Sequence, residues 1–266
     1  MPQPPETYEI YAVHYAHREA TRKDHFPGDP DGDRSMPMDY FVWWLKSDQR
    51  TFLVDTGYSA EVAKRRGRTS IRRPIEGLRM LGVEGADVTD VIITHMHFDH
   101  SGTIEDFPNA RIHIQEKELA YVTGPTMAGP LGGAFEHDDA VKVIDALYEG
   151  RVRFADGSAE LAPGLSVHYV GGHTGGTQVV RVHTKRGWVV LASDASHYYE
   201  NMETGKPFSI PHETHRVLAG FSTMYALADS PAHVVPGHDP LVLERYAAPS
   251  PELEGIVVRL DEEPRA

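Results

Sequence analysis

Apolar residues fall along this chain in short runs bounded by polar and turn-forming residues, with stretches of helical periodicity between them. Phe41-Val-Trp-Trp-Leu45 and Thr51-Phe-Leu-Val54 predict adjacent strands joined by a turn at Ser47-Asp-Gln-Arg50. The stretch 88–93 predicts a buried strand and 112–114 a short one. Three more are predicted over 165–170, 178–183 and 188–192, and a last over 233–236. Ile71, Ile75, Leu78 and Leu81 stand at helical spacing, with Gly82 to stop that helix. Helices are also predicted over 140–148, with Val141, Ile144, Ala146 and Leu147 as the apolar side, and over 217–228. From Ala247 onward the chain is rich in Pro and Glu and reads as peripheral.

No repeat and no long linker divides the chain, so residues 1–266 read as one domain large enough to bury a sizeable core. It holds no run of about 18 apolar residues, and Met1-Pro-Gln-Pro-Pro-Glu-Thr7 lacks the charged-then-apolar pattern of an export signal. The expected setting is the cytoplasm, with no membrane partner. A formal charge of −13 argues against a nucleic-acid partner, since phosphate contacts need clustered Lys and Arg. The one basic run, Lys64-Arg-Arg-Gly-Arg68 with Arg72 and Arg73, reads as a solvated face. Cysteine is absent, which removes disulfides, thiolate nucleophiles and thiolate metal ligands together.

The candidate chemistry begins where the predicted strand 88–93 ends, in Thr94-His-Met-His-Phe-Asp-His100. Two imidazoles at i and i+2, then a carboxylate and a further imidazole, form a dense set of donors for first-row metals. His173, Asp194 and His238 follow far downstream, in Gly172-His173, Ser193-Asp194 and Gly237-His238. Other histidines lack such company. His14 and His17 have no further donor at ligand spacing and read as loop or surface residues, and His113, His168 and His183 sit in strand-like stretches as structural or exposed imidazoles. Pro211-His-Glu-Thr-His215 lacks the spacing of a helical His-Glu-x-x-His site.

His-x-His-x-Asp-His, with the downstream His173, Asp194 and His238, resembles the metallo-β-lactamase superfamily. The resemblance implies an α/β fold, the four-layer αβ/βα sandwich, with metals at the sheet edge. It implies His95, His97 and His173 on a first metal, Asp99, His100 and His238 on a second, and Asp194 bridging them. Two divalent ions are expected, zinc by default, with iron, cobalt or manganese also suited to nitrogen and oxygen ligands. Asp55, in Asp55-Thr-Gly57, is expected to support a ligating His from behind.

Ser193-Asp-Ala-Ser-His-Tyr-Tyr-Glu-Asn201 resembles the bridging-Asp segment of the N-acyl homoserine lactonases, the quorum-quenching branch. That implies a small lactone as substrate and a hydroxide between the metals as nucleophile. The other metal or Asp99 would assist departure of the ring oxygen. His197 stands where that branch carries a Tyr, and Tyr198 follows, so either supplies the donor to developing negative charge, with a slight preference for Tyr198. Another departure places Thr177 where a supporting His is common. The Gly- and Pro-rich 121–135 stretch, with Met127, Leu131 and Phe135, and the loop from His17 to Met38 are expected to line the substrate pocket. Alternatives are a lactonase on another ring such as a pyridoxolactone, a glyoxalase-type thioesterase, and a non-catalytic metal-binding sensor.

Overall fold

The computed structural model describes residues 5–265; residues 1–4, part of the stretch read above for an export signal, lie outside that range. Among the described residues thirteen strands occur in chain order: β1 (Glu9–Arg18), β2 (Met38–Lys46), β3 (Thr51–Val54), β4 (Thr69–Ser70), β5 (Asp90–Ile92), β6 (Arg111–Gln115), β7 (Val152–Ala155), β8 (Ala159–Ala162), β9 (Leu165–Tyr169), β10 (Gln178–Thr184), β11 (Gly187–Ser193), β12 (Val234–Pro236) and β13 (Val257–Arg259). They build one sheet in the order β13-β1-β2-β3-β5-β6-β7, with β4 beside β1, and a second in the order β12-β11-β10-β9-β8.

Strand β2 shows why the sheets stack. Phe41, Trp43 and Leu45 point into the core shared with the second sheet. Met38, Tyr40, Val42 and Trp44 point the other way, into a core that the helices cover. Alternation with apolar side chains on both faces marks a strand buried on both sides. The helices Pro74–Arg79, Glu116–Val122 and His137–Tyr148 cover that outer face. Thr214–Leu227 covers the second sheet through Val217, Phe221 and Met224. The result is a mixed α/β sandwich of four layers.

Strands β3, β5, β6 and β7 run parallel, so helical crossovers return the chain between them. Their carboxyl ends therefore lie on one side, and the predicted ligand loop follows β5 there.

Four expectations change. The helix expected over 71–81 shortens to Pro74–Arg79, because Pro74 disfavours helical geometry in the residue before it, and Ile71 stands 45% exposed. In His137–Tyr148 the inward residues are Val143 and Ala146, while Val141 faces out at 37% exposure. His233 sits in a 3₁₀ turn, outside the strand. The tail from Ala247 is not peripheral: β13 pairs antiparallel with β1, and Val257, Val258 and Leu260 are buried. Apolar residues in it are few, but these three fall in β13 and directly after it.

Strand β1 itself was invisible as a strand, and His14 within it is buried against Asp39. Among the described residues no helix is long and apolar enough to cross a membrane.

Candidate metal centre

Each predicted ligand sits at or just past the end of a strand. His95 and His97 follow β5, and Asp99 and His100 lie in the short helix Phe98–Ser101 that His97 caps. His173 lies between β9 and β10, Asp194 directly after β11, and His238 two residues after β12. Ligands from both sheets thus meet at one seam. Asp55 (φ 59°) and Ser193 (φ 45°) hold left-handed backbone there, which non-glycine residues adopt at a cost and which clusters at functional sites.

Two groups of donors form. The donor atoms of His95, His97, His173 and Asp194 lie within 4.8 Å of one another, as do those of Asp99, His100, Asp194 and His238. Asp194 gives one oxygen to each. Its Oδ2 lies 3.2 Å from His173 Nε2 and 3.8 Å from His95 Nε2, and its Oδ1 lies 2.9 Å from His238 Nε2 and 3.1 Å from His100 Nε2. Asp99 Oδ2 completes the second cluster at 3.6 and 3.7 Å from those two nitrogens. In the first, His97 Nδ1 lies 3.1 Å from His95 Nε2 and 2.8 Å from His173 Nε2.

The donor sets fit cations. Zinc–nitrogen bonds of about 2.0–2.1 Å put tetrahedral ligands roughly 3.3–3.4 Å apart, within the 2.8–3.8 Å spread of separations seen here. Hydrogen bonding among the ligands is a poorer account. One imidazole nitrogen cannot share a single proton with two others, and the buried His100 Nε2, His238 Nε2 and Asp194 Oδ1 are not aligned in any hydrogen bond. Burial, with His100 nearby, holds the His95 imidazole well below its usual pKa; burial and His173 do the same to His97, so both are neutral and able to ligate. Burial opposes ionisation of Asp194, yet His238 and His100 hold its carboxyl well below the usual range.

A sequence profile of the metallo-beta-lactamase superfamily matches residues 36–238. The chain belongs to that superfamily. An N-acyl homoserine lactonase of a Bacillus species is 28% identical over 208 residues, 72% of this chain and 74% of that protein. The N-acyl homoserine lactonase of Bacillus cereus is 27% identical over 204 residues, 70% and 72% of the two chains. Among solved structures, a quorum-quenching N-acyl homoserine lactone lactonase matches with a TM-score of 0.74 at 21% identity, covering 90% of this chain and 95% of that one. An N-acyl homoserine lactone hydrolase with the product N-hexanoyl-L-homoserine at its catalytic metal centre matches at 0.75 and 20%, covering 91% and 96%. At such identity the structural likeness speaks for the fold alone.

Within this metallo-β-lactamase scaffold the imidazoles are unequally anchored. Asp55 Oδ2 lies 2.7 Å from His100 Nδ1 while its carboxylate accepts from the Thr94 amide and hydroxyl. His238 Nδ1 donates to the Asp39 carbonyl at 2.9 Å. Both bonds leave Nε2 turned toward the second cluster. His95 Nδ1 meets Thr94 Oγ1 at 3.2 Å. His173 Nδ1 meets nothing among the described residues.

His197 and Tyr198 point in different directions. His197 Nε2 reaches Asp194 Oδ2 at 3.0 Å, with its ring stacked on Phe208 at 3.8 Å. The Tyr198 hydroxyl lies 2.9 Å from His25 Nε2 and donates to the Pro37 carbonyl at 3.2 Å.

Of the three expected pocket residues, Phe135 meets His97 ring to ring at 4.5 Å. Met127 packs against the same apolar core, and Leu131 is half-buried on the 3₁₀ turn Pro130–Ala134. Arg66 holds this loop, bonding Glu136 Oε1 and the Gly133 and Phe135 carbonyls. The basic run read as a solvated face thus has an internal task. A cavity of about 530 Å³ adjoins His197 through Phe208, walled by Phe26, Pro27, Pro30, Pro207 and Pro211.

Sequence reasoning missed Phe208 and Glu118. Glu118 is fully buried and accepts from Met96 N at 2.7 Å, Thr174 Oγ1 at 2.6 Å and Gly176 N at 2.8 Å. Thr177 serves the same turn, its hydroxyl accepting from Thr174 N at 2.9 Å.

Proposed function

We propose that this protein is a metal-dependent hydrolase that opens a lactone ring, with N-acyl homoserine lactones as substrates and two divalent cations, zinc by default, in its two clusters. The observation that carries the reading is Asp194, with one carboxylate oxygen in each cluster, in a chain whose relatives are named N-acyl homoserine lactonases. Bound cations of this kind acidify water to a pKa of about 7 and polarise a carbonyl oxygen.

The protein's own groups do the rest. Water adds to the ring carbonyl, the acyl C–O bond breaks, and the ring oxygen leaves as the hydroxyl of the opened acid. His197 is the better-supported donor to the carbonyl oxygen, since its Nε2 lies 3.0 Å from Asp194 while the Tyr198 hydroxyl is engaged by His25 and Pro37. Burial pushes the His197 pKa down to about 3, so its imidazole is neutral at pH 7, and its one N–H, which faces Asp194 Oδ2 here, would turn to the carbonyl oxygen once a cation occupies that carboxylate oxygen. Asp99, buried against His100 and His238, is suited to take the proton given up by the adding water and pass it to the departing oxygen. Phe135 and Phe208 wall the centre and exclude bulk water.

Metal analysis of purified protein, followed by a lactone panel scored by acid release with a chelator control, tests the reading. Two ions per chain and release from homoserine lactones, abolished by chelation and restored by zinc, are expected. Acid release from a pyridoxolactone alone would move the substrate to another ring, and metal binding without turnover would make the protein a sensor.

A further inference from the structure

We propose that Glu118 is the positioning residue of the first cluster, fixing His97 and His173 in register as Asp55 and the Asp39 carbonyl fix the second. The proposal rests on the metal reading of the clusters and adds to it a division of labour that the ligands alone do not reveal.

The argument starts from what the first cluster lacks. His97 turns its Nδ1 to the cluster, and His173 has no partner on Nδ1 among the described residues, so neither ring is steered by a bond to its second nitrogen. Phe135 and Phe208 pack against the two rings, and the register of the rings is then set by the backbone that carries them. Met96 separates His95 from His97, and Thr174 follows His173. The carboxylate of Glu118 takes a hydrogen bond from each of these residues and a third from Gly176 N. One side chain therefore ties a loop of the first sheet to a loop of the second, and the two loops carry all three imidazoles of the first cluster.

The neighbourhood is shaped for this contact. A Cβ on Gly176 would fall 2.2 Å from Glu118 N, and one on Gly175 would fall 2.5 Å from the Tyr121 ring. The glycine pair lets the 174–177 turn close on the helix Glu116–Val122. A carboxylate buried so completely is tolerable only when its oxygens are satisfied, and here each is. Among the described residues Glu118 touches no ligand side chain by hydrogen bond, so its influence runs through backbone geometry.

The test is zinc affinity, read by competition with a chromophoric chelator on wild type, Glu118→Gln and Asp55→Asn. Wild type should bind two ions. Glu118→Gln, which offers an amide NH₂ where donors already point, should weaken one ion by about 10–100-fold and leave the other unchanged. The decisive arm repeats both variants in a His173→Ala background, where the first cluster is already broken. There Glu118→Gln should add little, whereas Asp55→Asn should still weaken the remaining ion. Equal weakening by Glu118→Gln in both backgrounds, or wild-type affinity for both ions, would overturn the proposal. A wild type that binds no zinc would instead sink the metal reading itself. Thr174→Val removes a single bond and guards against a misfolded Glu118 variant; it should weaken the same ion by less, and no shift would count against the proposal.

Discussion

At the residue scale the central fact is how few side chains carry how many duties. His197 and Tyr198 are neighbours in sequence, yet one faces Asp194 and the other faces His25. Replacing His197 by Ala should therefore lower kcat by about 10²–10³-fold with the metals retained, the usual loss for one donor to developing negative charge. Tyr198→Phe should stay within a few-fold of wild type; steady-state kinetics on one homoserine lactone at fixed metal content decides between them. A reversed ranking would return the role to Tyr198. His25 offers a pH test. Burial holds its pKa at about 4 against an ordinary 6.5, so as pH falls below 6.5 the unfolded chain takes up the proton first and stability drops until about pH 4. His25→Gln should flatten that stretch of the acid limb, read as urea midpoints at pH 7 and pH 5. A variant that falls as steeply as wild type would show that His25 plays no part. The ligands were legible because metal chemistry demands clustered donors of recognisable type. Glu118 was not, because its partners are largely backbone amides of distant loops, and no spacing rule marks a lone Glu in a helix.

Elements were legible where their alternation was plain, as in β2 and β3, and were lost where it was not. Strand β1 mixes Tyr, Ala and His on two buried faces and breaks register between His14 and Ala16, so it reads like a polar loop. Its partner β13 was hidden by the Pro- and Glu-rich residues around it. The amphipathic reading of 140–148 held at Ala146 and Leu147 but placed Val141 where Val143 is buried, since the two are equally apolar and only packing chooses between them. The tail supplies the sharpest element-level prediction. Leu260 is fully buried and its amide bonds the Ile10 carbonyl at 2.9 Å. Leu260→Ala should cost about 2–5 kcal/mol in urea unfolding, as large-to-small core changes do. A change within about 0.5 kcal/mol would match an unpacked surface residue.

For the whole molecule the seam between the sheets matters most. His95, His97, Asp99 and His100 come from the first sheet, and His173, Asp194 and His238 from the second, so a cation held there braces the sandwich as well as serving its chemistry. A ligand that binds only the folded state at 100 times its Kd adds about 2.7 kcal/mol. Chelation should therefore lower the thermal midpoint of wild type and leave that of Asp194→Ala unmoved, since that variant lacks the one carboxylate that reaches both clusters. Equal shifts in the two proteins would mean that chelation acts elsewhere. The pairing of Val13 with Val257 and Ala12 with Val258 reaches across nearly the whole described chain. On the ribosome, β1 can join β2 early, but its other edge finds β13 only when residues 257–259 emerge, tens of seconds later at roughly 5–20 residues per second. For that interval the nascent chain carries an open strand edge able to pair with a neighbouring chain. Translation speed and chaperone supply, as well as the strength of the finished core, then bear on how much of this protein a cell recovers in active form.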